Sequence, residues 1–161
     1  MTDGNPTPQA QAGARDAVRS GAKIVVGIDG SGPSISALEW AARQADLTGA
    51  TLEVMMTWEW PTSYGWVPPW PQSWNPMAEV RHVLDDAVDT VRKDHPSLTI
   101  VSTVVQGHPA EKLIEASEGA DLLVLGNRGH GEFVGMLIGS VSEHCAAKAH
   151  CPVLIHHQSG S

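Results

Sequence analysis

Residues 121–140, DLLVLGNRGHGEFVGMLIGS, run an unbroken apolar segment directly into a glycine-rich turn, and that junction decides the fold. Residues 121–125 show almost no apolar–polar alternation. That is the pattern of a strand covered by helices on both faces, as in a parallel sheet. Immediately afterwards Gly126, Gly129, Gly139 and Ser140 stand in the order G-x2-G-x9-G-S. Glycine allows the backbone a positive φ and a close approach to an anion. A helix starting at Gly139 and Ser140 would add unpaired N–H groups and the positive end of its dipole. With 16 glycines in the chain this spacing is not specific by itself, so its reading rests on the strand that precedes it.

Outward from this junction the chain alternates strand and helix. Residues 23–29 (KIVVGID) form a compact β-branched run that ends at an acid and a Gly-Ser-Gly-Pro turn, predicting a buried strand that feeds a helix. Pro33 suits the first turn of that helix. Ile35, Leu38, Ala42 and Ala45 then recur at helical spacing over residues 34–46, predicting one buried face and an end near Gly49. Residues 51–58 (TLEVMMTW) read as the second strand. Met77, Val80, Leu84, Ala87 or Val88, and Val91 restore the helical period, and residues 98–105 (LTIVSTVV) read as the third strand. Pro109 opens a short helix carrying Ala110, Leu113 and Ile114. Val141, Cys145 and Ala149 share a face over residues 140–149, and residues 151–157 (CPVLIHH) close the pattern as a fifth strand. Regular alternation with short connections predicts an α/β fold: a doubly wound, Rossmann-like parallel sheet with helices on both faces.

Composition sets the outer limits. At 161 residues the chain is long enough for one ordinary core and short for two. No apolar run approaches the length that crosses a bilayer, so a soluble protein with no membrane partner is expected. Ten Lys and Arg against 18 Asp and Glu leave a net charge of −8, which repels nucleic-acid backbones at long range, so no nucleic-acid partner is expected. Residues 1–22 lack the apolar block of a secretory signal and read as a flexible tail, which makes the cytoplasm the expected compartment. The domain then spans residues 23–157, with 158–161 as a C-terminal tail. Cys145 and Cys151 match no metal or redox spacing and read as buried thiols.

In an open parallel sheet, ligands bind beyond the carboxyl ends of the strands where strand order reverses. Asp29 ends the first strand and Gly126 the fourth. If those strands are neighbours, an acid and a glycine-rich anion cradle face each other across one crevice. Asp29 suits a ribose or a Mg²⁺ ion, and alternatively a simple turn. Arg128 is the one fixed positive charge inside the motif. Ser140 heads S-V-S-E, which also reads as a capping box closed by Glu143.

VVGIDGS near the start, VVQGHPAEKLI in the middle and ADLLVLGNRGHGEFVGMLIGSVSEHCAAKAHCPVLIHH at the end together resemble the universal stress protein family, over residues 23–157. The resemblance to its ATP-binding branch implies a five-stranded sheet of order 3-2-1-4-5 with the nucleotide between strands one and four. It implies that Gly126, Gly129, Gly139 and Ser140 contact phosphates and ribose, with Val141 and Ser142 at the same helix terminus. Asp29 would lie beside the ribose or a phosphate-bound Mg²⁺, as the candidate metal ligand, and Gly27 counts among the nucleotide-binding residues. Thr57 would present backbone to the adenine. Asn127 stands where family members often have Ser or Thr, so that side-chain contact does not carry over while the glycine backbone is unaffected; Asn127 and Arg128 complete the expected nucleotide-binding set.

The function this implies is an ATP-binding stress-response module, with AMP or cAMP as alternative ligands and an unknown protein partner. It is not expected to be an enzyme beyond weak ATP hydrolysis. A slow hydrolase or nucleotide transferase is the second reading, although no Walker lysine or general base accompanies the glycines. A nucleotide-free dimeric interaction protein is the third. It would use the loop of residues 58–76, where five tryptophans and five prolines cluster. The loop reads either as packing on its own domain or as a lid beside the crevice. The histidines at 144, 150, 156 and 157 have no zinc-cage spacing. A homodimer is expected through the C-terminal strand, residues 152–156, because that strand lies at a sheet edge under the implied order.

Overall fold

A computed structural model describes residues 21–60, 71–129 and 137–158. Strands β1 (Lys23–Ile28), β2 (Thr51–Trp58), β3 (Ile100–Gln106), β4 (Leu122–Gly126) and β5 (Val153–His156) alternate with helices α1 (Gly32–Thr48), α2 (Pro76–Asp94), α3 (Pro109–Ser117) and α4 (Ser140–Lys148). The five strands are parallel and lie in the order β3-β2-β1-β4-β5, as expected.

The central strands explain the layers. Along β1, Ile24, Val26 and Ile28 join a core with Ala37, Leu38, Ala41 and Ala45 of α1 and with Leu84, Val88 and Val91 of α2. Val25 points the other way, into a second core with Ala110 and Leu113 of α3, Cys145 of α4, and Leu123 and Leu125 of β4. Both faces of β1 and β4 are therefore apolar, which is why residues 121–125 show no alternation. The small side chains of α1 bring that helix close to the sheet. Leu38 and Leu84 are fully buried, each contributing about 1.5–3 kcal/mol by the area it removes from water.

Local signals fix the helix ends. Pro33 lies in the first turn of α1, and Gly49 ends that helix in the left-handed conformation at φ 70°, its N–H closing on the Ala45 carbonyl. The Asn75 side chain accepts from the Ala78 N–H at 3.3 Å and caps α2.

Some expectations are corrected. Ala22 belongs to the folded unit rather than the tail, since its carbonyl accepts from the Thr51 N–H at 2.9 Å; residues 1–20 lie outside the described residues. Met77 is exposed rather than buried, because α2 meets the sheet only from Val80 onward. The third strand runs two residues later at its start, with His95 and Leu98 closing a turn before it. Cys145 is fully buried, but Cys151 is only half-buried; both are free thiols. Among the described residues no helix is long and apolar enough to cross a membrane.

Candidate functional site

β1 pairs with β2 on one side and β4 on the other, so the chain leaves β1 toward one edge and later returns to the opposite side. At that switch point the carboxyl ends of β1 and β4 diverge and leave a cleft of about 550 Å³, within the usual range of small-ligand pockets.

The β1 side is a tight acidic turn. Asp29 Oδ1 accepts from the Ser31 N–H at 2.9 Å and from the Ser31 hydroxyl at 2.5 Å, and Gly30 takes φ 82° to let the chain reverse. The Ser34 hydroxyl donates to the Ser31 carbonyl at 2.9 Å. Asp29 is thus the turn residue the simple reading described, while also lining the cleft. A Cβ at Gly129 would stand 2.5 Å from Asp29 Oδ2, so glycine there brings the β4 loop against the carboxylate.

The glycines act through close approach, not through unusual dihedrals. Among the described residues the positive-φ glycines are 21, 30, 49, 107 and 119, and none belongs to the G-x2-G-x9-G motif. A Cβ at Gly126 would lie 2.9 Å from both the carbonyl carbon and oxygen of Pro33, so glycine lets the tip of β4 touch the first turn of α1. Gly27 similarly admits Leu113 and Leu125, whose methyls would lie 2.8–2.9 Å from an added Cβ. Gly139 is different: its nearest neighbours would be at 3.6 Å, an ordinary contact with Arg128 and Asn127.

Gly139, not Ser140, is the N-cap of α4, so the expected capping box of Ser140 and Glu143 is absent. The Gly139 N–H donates to the Asn127 carbonyl at 2.7 Å, and its carbonyl accepts from the Glu143 N–H at 2.9 Å. Ser140, Val141 and Ser142 form the first turn, whose N–H groups have no partner inside the helix and stand at its positive end. All three line the cleft. The Ser142 side chain is buried and its hydroxyl donates to the Gly126 carbonyl at 2.7 Å.

The cleft gathers ten of the sequence-predicted residues: Gly27, Asp29, Thr57, Gly126, Arg128, Gly129, Gly139, Ser140, Val141 and Ser142. Asn127 is outside the lining; its backbone instead accepts from Gly139 and donates to the His156 carbonyl at 3.0 Å. Sequence reasoning missed the apolar wall of Met55, Met56, Pro109, Leu113, Leu125 and Ile138, and also Ser34. The adjacency of Met55 and Met56 to Thr57 could have signalled the methionines. The wall suits a flat apolar or aromatic group, and the α4 terminus suits an anion.

Among the described residues, Asp29 and Arg128 are the two charged side chains of the lining, which includes no lysine, no histidine and no second carboxylate. Backbone donors can hold an anion there, while among the described residues nothing in the lining pairs a nucleophile with a base. Among the described residues no three His, Cys, Asp or Glu gather as a metal cage. Of the tryptophan-rich loop, residues 61–70 lie outside the described residues; Trp58 and Trp60 meet edge to face with centroids 5.3 Å apart.

Comparison with known proteins agrees with this architecture. A family model described as the universal stress protein family matches residues 22–157. The universal stress protein Rv2623 of Mycobacterium tuberculosis is 35% identical over 144 residues, which are 86% of this chain and 46% of that protein. The universal stress protein Mb2028c of Mycobacterium bovis is 33% identical over 141 residues, covering 83% and 47%. The chain thus spans about half the length of these relatives. Among solved structures, a universal stress protein in complex with cAMP superposes with TM-score 0.66 at 31% identity, covering 86% of this chain and 98% of that one. A universal stress protein from Archaeoglobus fulgidus shares the fold at TM-score 0.65 and 22% identity, covering 83% and 97%. The strand order, the glycine-lined switch point and a family match over residues 22–157 lead to one conclusion: the chain belongs to the universal stress protein family.

Proposed function

We propose that this chain is an adenine-nucleotide-binding regulatory module, with ATP as its first ligand, that works by binding rather than turnover. The observation that carries the reading is the meeting of the first turn of α4, whose N–H groups have no partner inside the helix, with an apolar wall across one cleft between β1 and β4. In this reading the N–H groups of Ser140 and Val141 and the Arg128 guanidinium receive the phosphates, and glycine at 126 and 129 keeps the strand tip and loop close behind them. Met55, Leu113 and Pro109 enclose the base, with the Thr57 backbone at its edge. Asp29 fits a ribose hydroxyl or a Mg²⁺ carried by the nucleotide, a hard cation that takes oxygen ligands and would neutralise phosphate charge. Occupancy would couple the β1 turn to the α4 terminus, and a protein partner, reached in the cytoplasm by a homodimer paired through β5, would read that change.

A cyclic nucleotide is the second reading, supported by the cAMP complex of the similar solved structure and by Arg128 being the single cation of the lining among the described residues, which suits a monoanion. Mass spectrometry of protein purified without added nucleotide tests both: copurified ATP, AMP or cAMP is expected to identify the ligand. Calorimetry with each nucleotide then ranks them, with Kd expected in the micromolar range, about −8 kcal/mol. No heat and no melting shift with millimolar Mg-ATP, AMP or cAMP would refute the proposal.

A further inference from the structure

The first turn of α4 is tied to the end of β4 at two points. The Gly139 N–H donates to the Asn127 carbonyl at 2.7 Å, and the Ser142 hydroxyl donates to the Gly126 carbonyl at 2.7 Å. Ser142 is 6% exposed, so the second bond is shielded from water. A serine hydroxyl carries a single proton. Given to Gly126, that proton is not available to a phosphate oxygen, which is itself only an acceptor. Contact with an anion through this hydroxyl would break a buried bond and leave the Gly126 carbonyl without its partner, at the cost of desolvating it for nothing.

We propose that Ser142 is a positioning residue of the nucleotide site, not a ligand contact: its hydroxyl latches α4 to β4 so that the Ser140 and Val141 N–H groups face the cleft before any ligand arrives. The inference rests on the nucleotide reading above and sharpens it, because it assigns anion recognition to backbone donors and gives the side chain a different role. A preset cradle loses less order on binding than one assembled around the ligand.

Ser142→Ala is compared with Ser117→Ala, a matched loss of a buried hydroxyl. Ser117 donates to the Ile114 carbonyl at 2.6 Å and accepts from the His150 N–H at 2.9 Å, beyond the far end of α4. Affinities for ATP, AMP and adenosine are measured by calorimetry, and amide exchange is followed by NMR in the nucleotide-free protein. Ser142→Ala is expected to weaken ATP and AMP about threefold to tenfold, to leave adenosine unchanged, and to speed exchange at Ser140 and Val141. Ser117→Ala is expected to leave all three affinities unchanged. ATP binding to Ser142→Ala as tight as to the unaltered protein would overturn the positioning role and leave the nucleotide reading standing. Weakened ATP binding with unchanged exchange would overturn it in favour of direct contact. An equal loss in Ser117→Ala would overturn it in favour of general loosening. Failure of the unaltered protein to bind any of the three would overturn the nucleotide reading itself, and the latch with it.

Discussion

Alanine at Gly126 and at Gly139 should have opposite consequences, because the two glycines are small for different reasons. At Gly126 the added methyl would stand 2.9 Å from the Pro33 carbonyl carbon and oxygen and 3.1 Å from the Ser34 nitrogen, all of them backbone atoms that cannot swing aside. Ordinary carbon contacts lie at about 3.5–4.0 Å, so β4 and α1 must part by roughly half an ångström or more. Overpacking of that kind costs about 1–3 kcal/mol, which for a domain of this size lowers the melting temperature by about 3–9 °C. At Gly139 the nearest atoms would be at 3.6 Å and the dihedrals, φ −71° and ψ 158°, suit any residue. The reduced freedom of the unfolded chain and the poorer capping by alanine oppose each other, so stability should change by less than about 0.5 kcal/mol. The Gly139 methyl would nevertheless fill the space between α4 and the backbone of Arg128 and Gly129, where the proposed phosphates lie, and ATP should bind at least about tenfold more weakly. Melting curves with and without millimolar ATP, paired with calorimetry, separate the effects. The reasoning is refuted if Gly139→Ala melts as low as Gly126→Ala, or if it binds ATP as the unaltered protein does.

Three further outcomes follow from the geometry. ATP turnover should stay below about 1 s⁻¹, the low end for ordinary enzymes, because among the described residues the lining offers no lysine and its carboxylate, Asp29, is engaged by the Ser31 N–H and hydroxyl; faster phosphate release in a steady-state assay would revive the hydrolase reading. In β5 the carbonyls of Pro152 and His156 accept from β4, so the N–H groups facing the open edge are those of Val153 and Ile155. Ile155→Pro should therefore turn a homodimer into a monomer in sedimentation without removing a bond to β4, and a dimer that survives it would exclude pairing through β5. Burial pushes the Cys145 thiol up from 9.0 to about 11, and also raises Cys151, which remains partly accessible. Alkylation at pH 8, read by mass spectrometry, should mark Cys151 well before Cys145, and equal rates would contradict the burial. Because the fold favours the protonated Cys145, its linkage is neutral below about pH 9 and destabilises the fold as pH rises from there toward 11, where the unfolded chain gives up its proton first.

The layer architecture was legible because β1 and β4 carry apolar residues on both faces and α1 repeats small apolar residues at helical spacing, signals that belong to single segments. The position of the cleft was legible for a similar reason, since Asp29 and Gly126 each mark a strand end. What the sequence concealed depends on partners far apart in the chain. Ser142 looked like a helix-terminus ligand, yet its hydroxyl is committed to a carbonyl sixteen residues earlier. Gly126 reads the same as Gly139 in the motif, although one is held tightly against α1 and the other meets its neighbours only at ordinary contact distance. The wall of Met55 and Leu113 needed the β2–β1 register and the lean of α3 over Gly27, neither of which has a local pattern. Met77 satisfied the helical period but lies before α2 reaches the sheet, because period alone says nothing about where a neighbour ends.

The central claim, that an adenine nucleotide is held between the apolar wall and the α4 terminus, is tested most directly by titrating ATP into isotopically labelled protein and following backbone amides by NMR. The account predicts saturable shifts with one micromolar-range Kd, largest at Arg128, Gly129, Ser140 and Val141 and present at Thr57, with the amides of Lys148 and Val101 unmoved. Shifts centred away from these residues, or none at millimolar ATP, would contradict it.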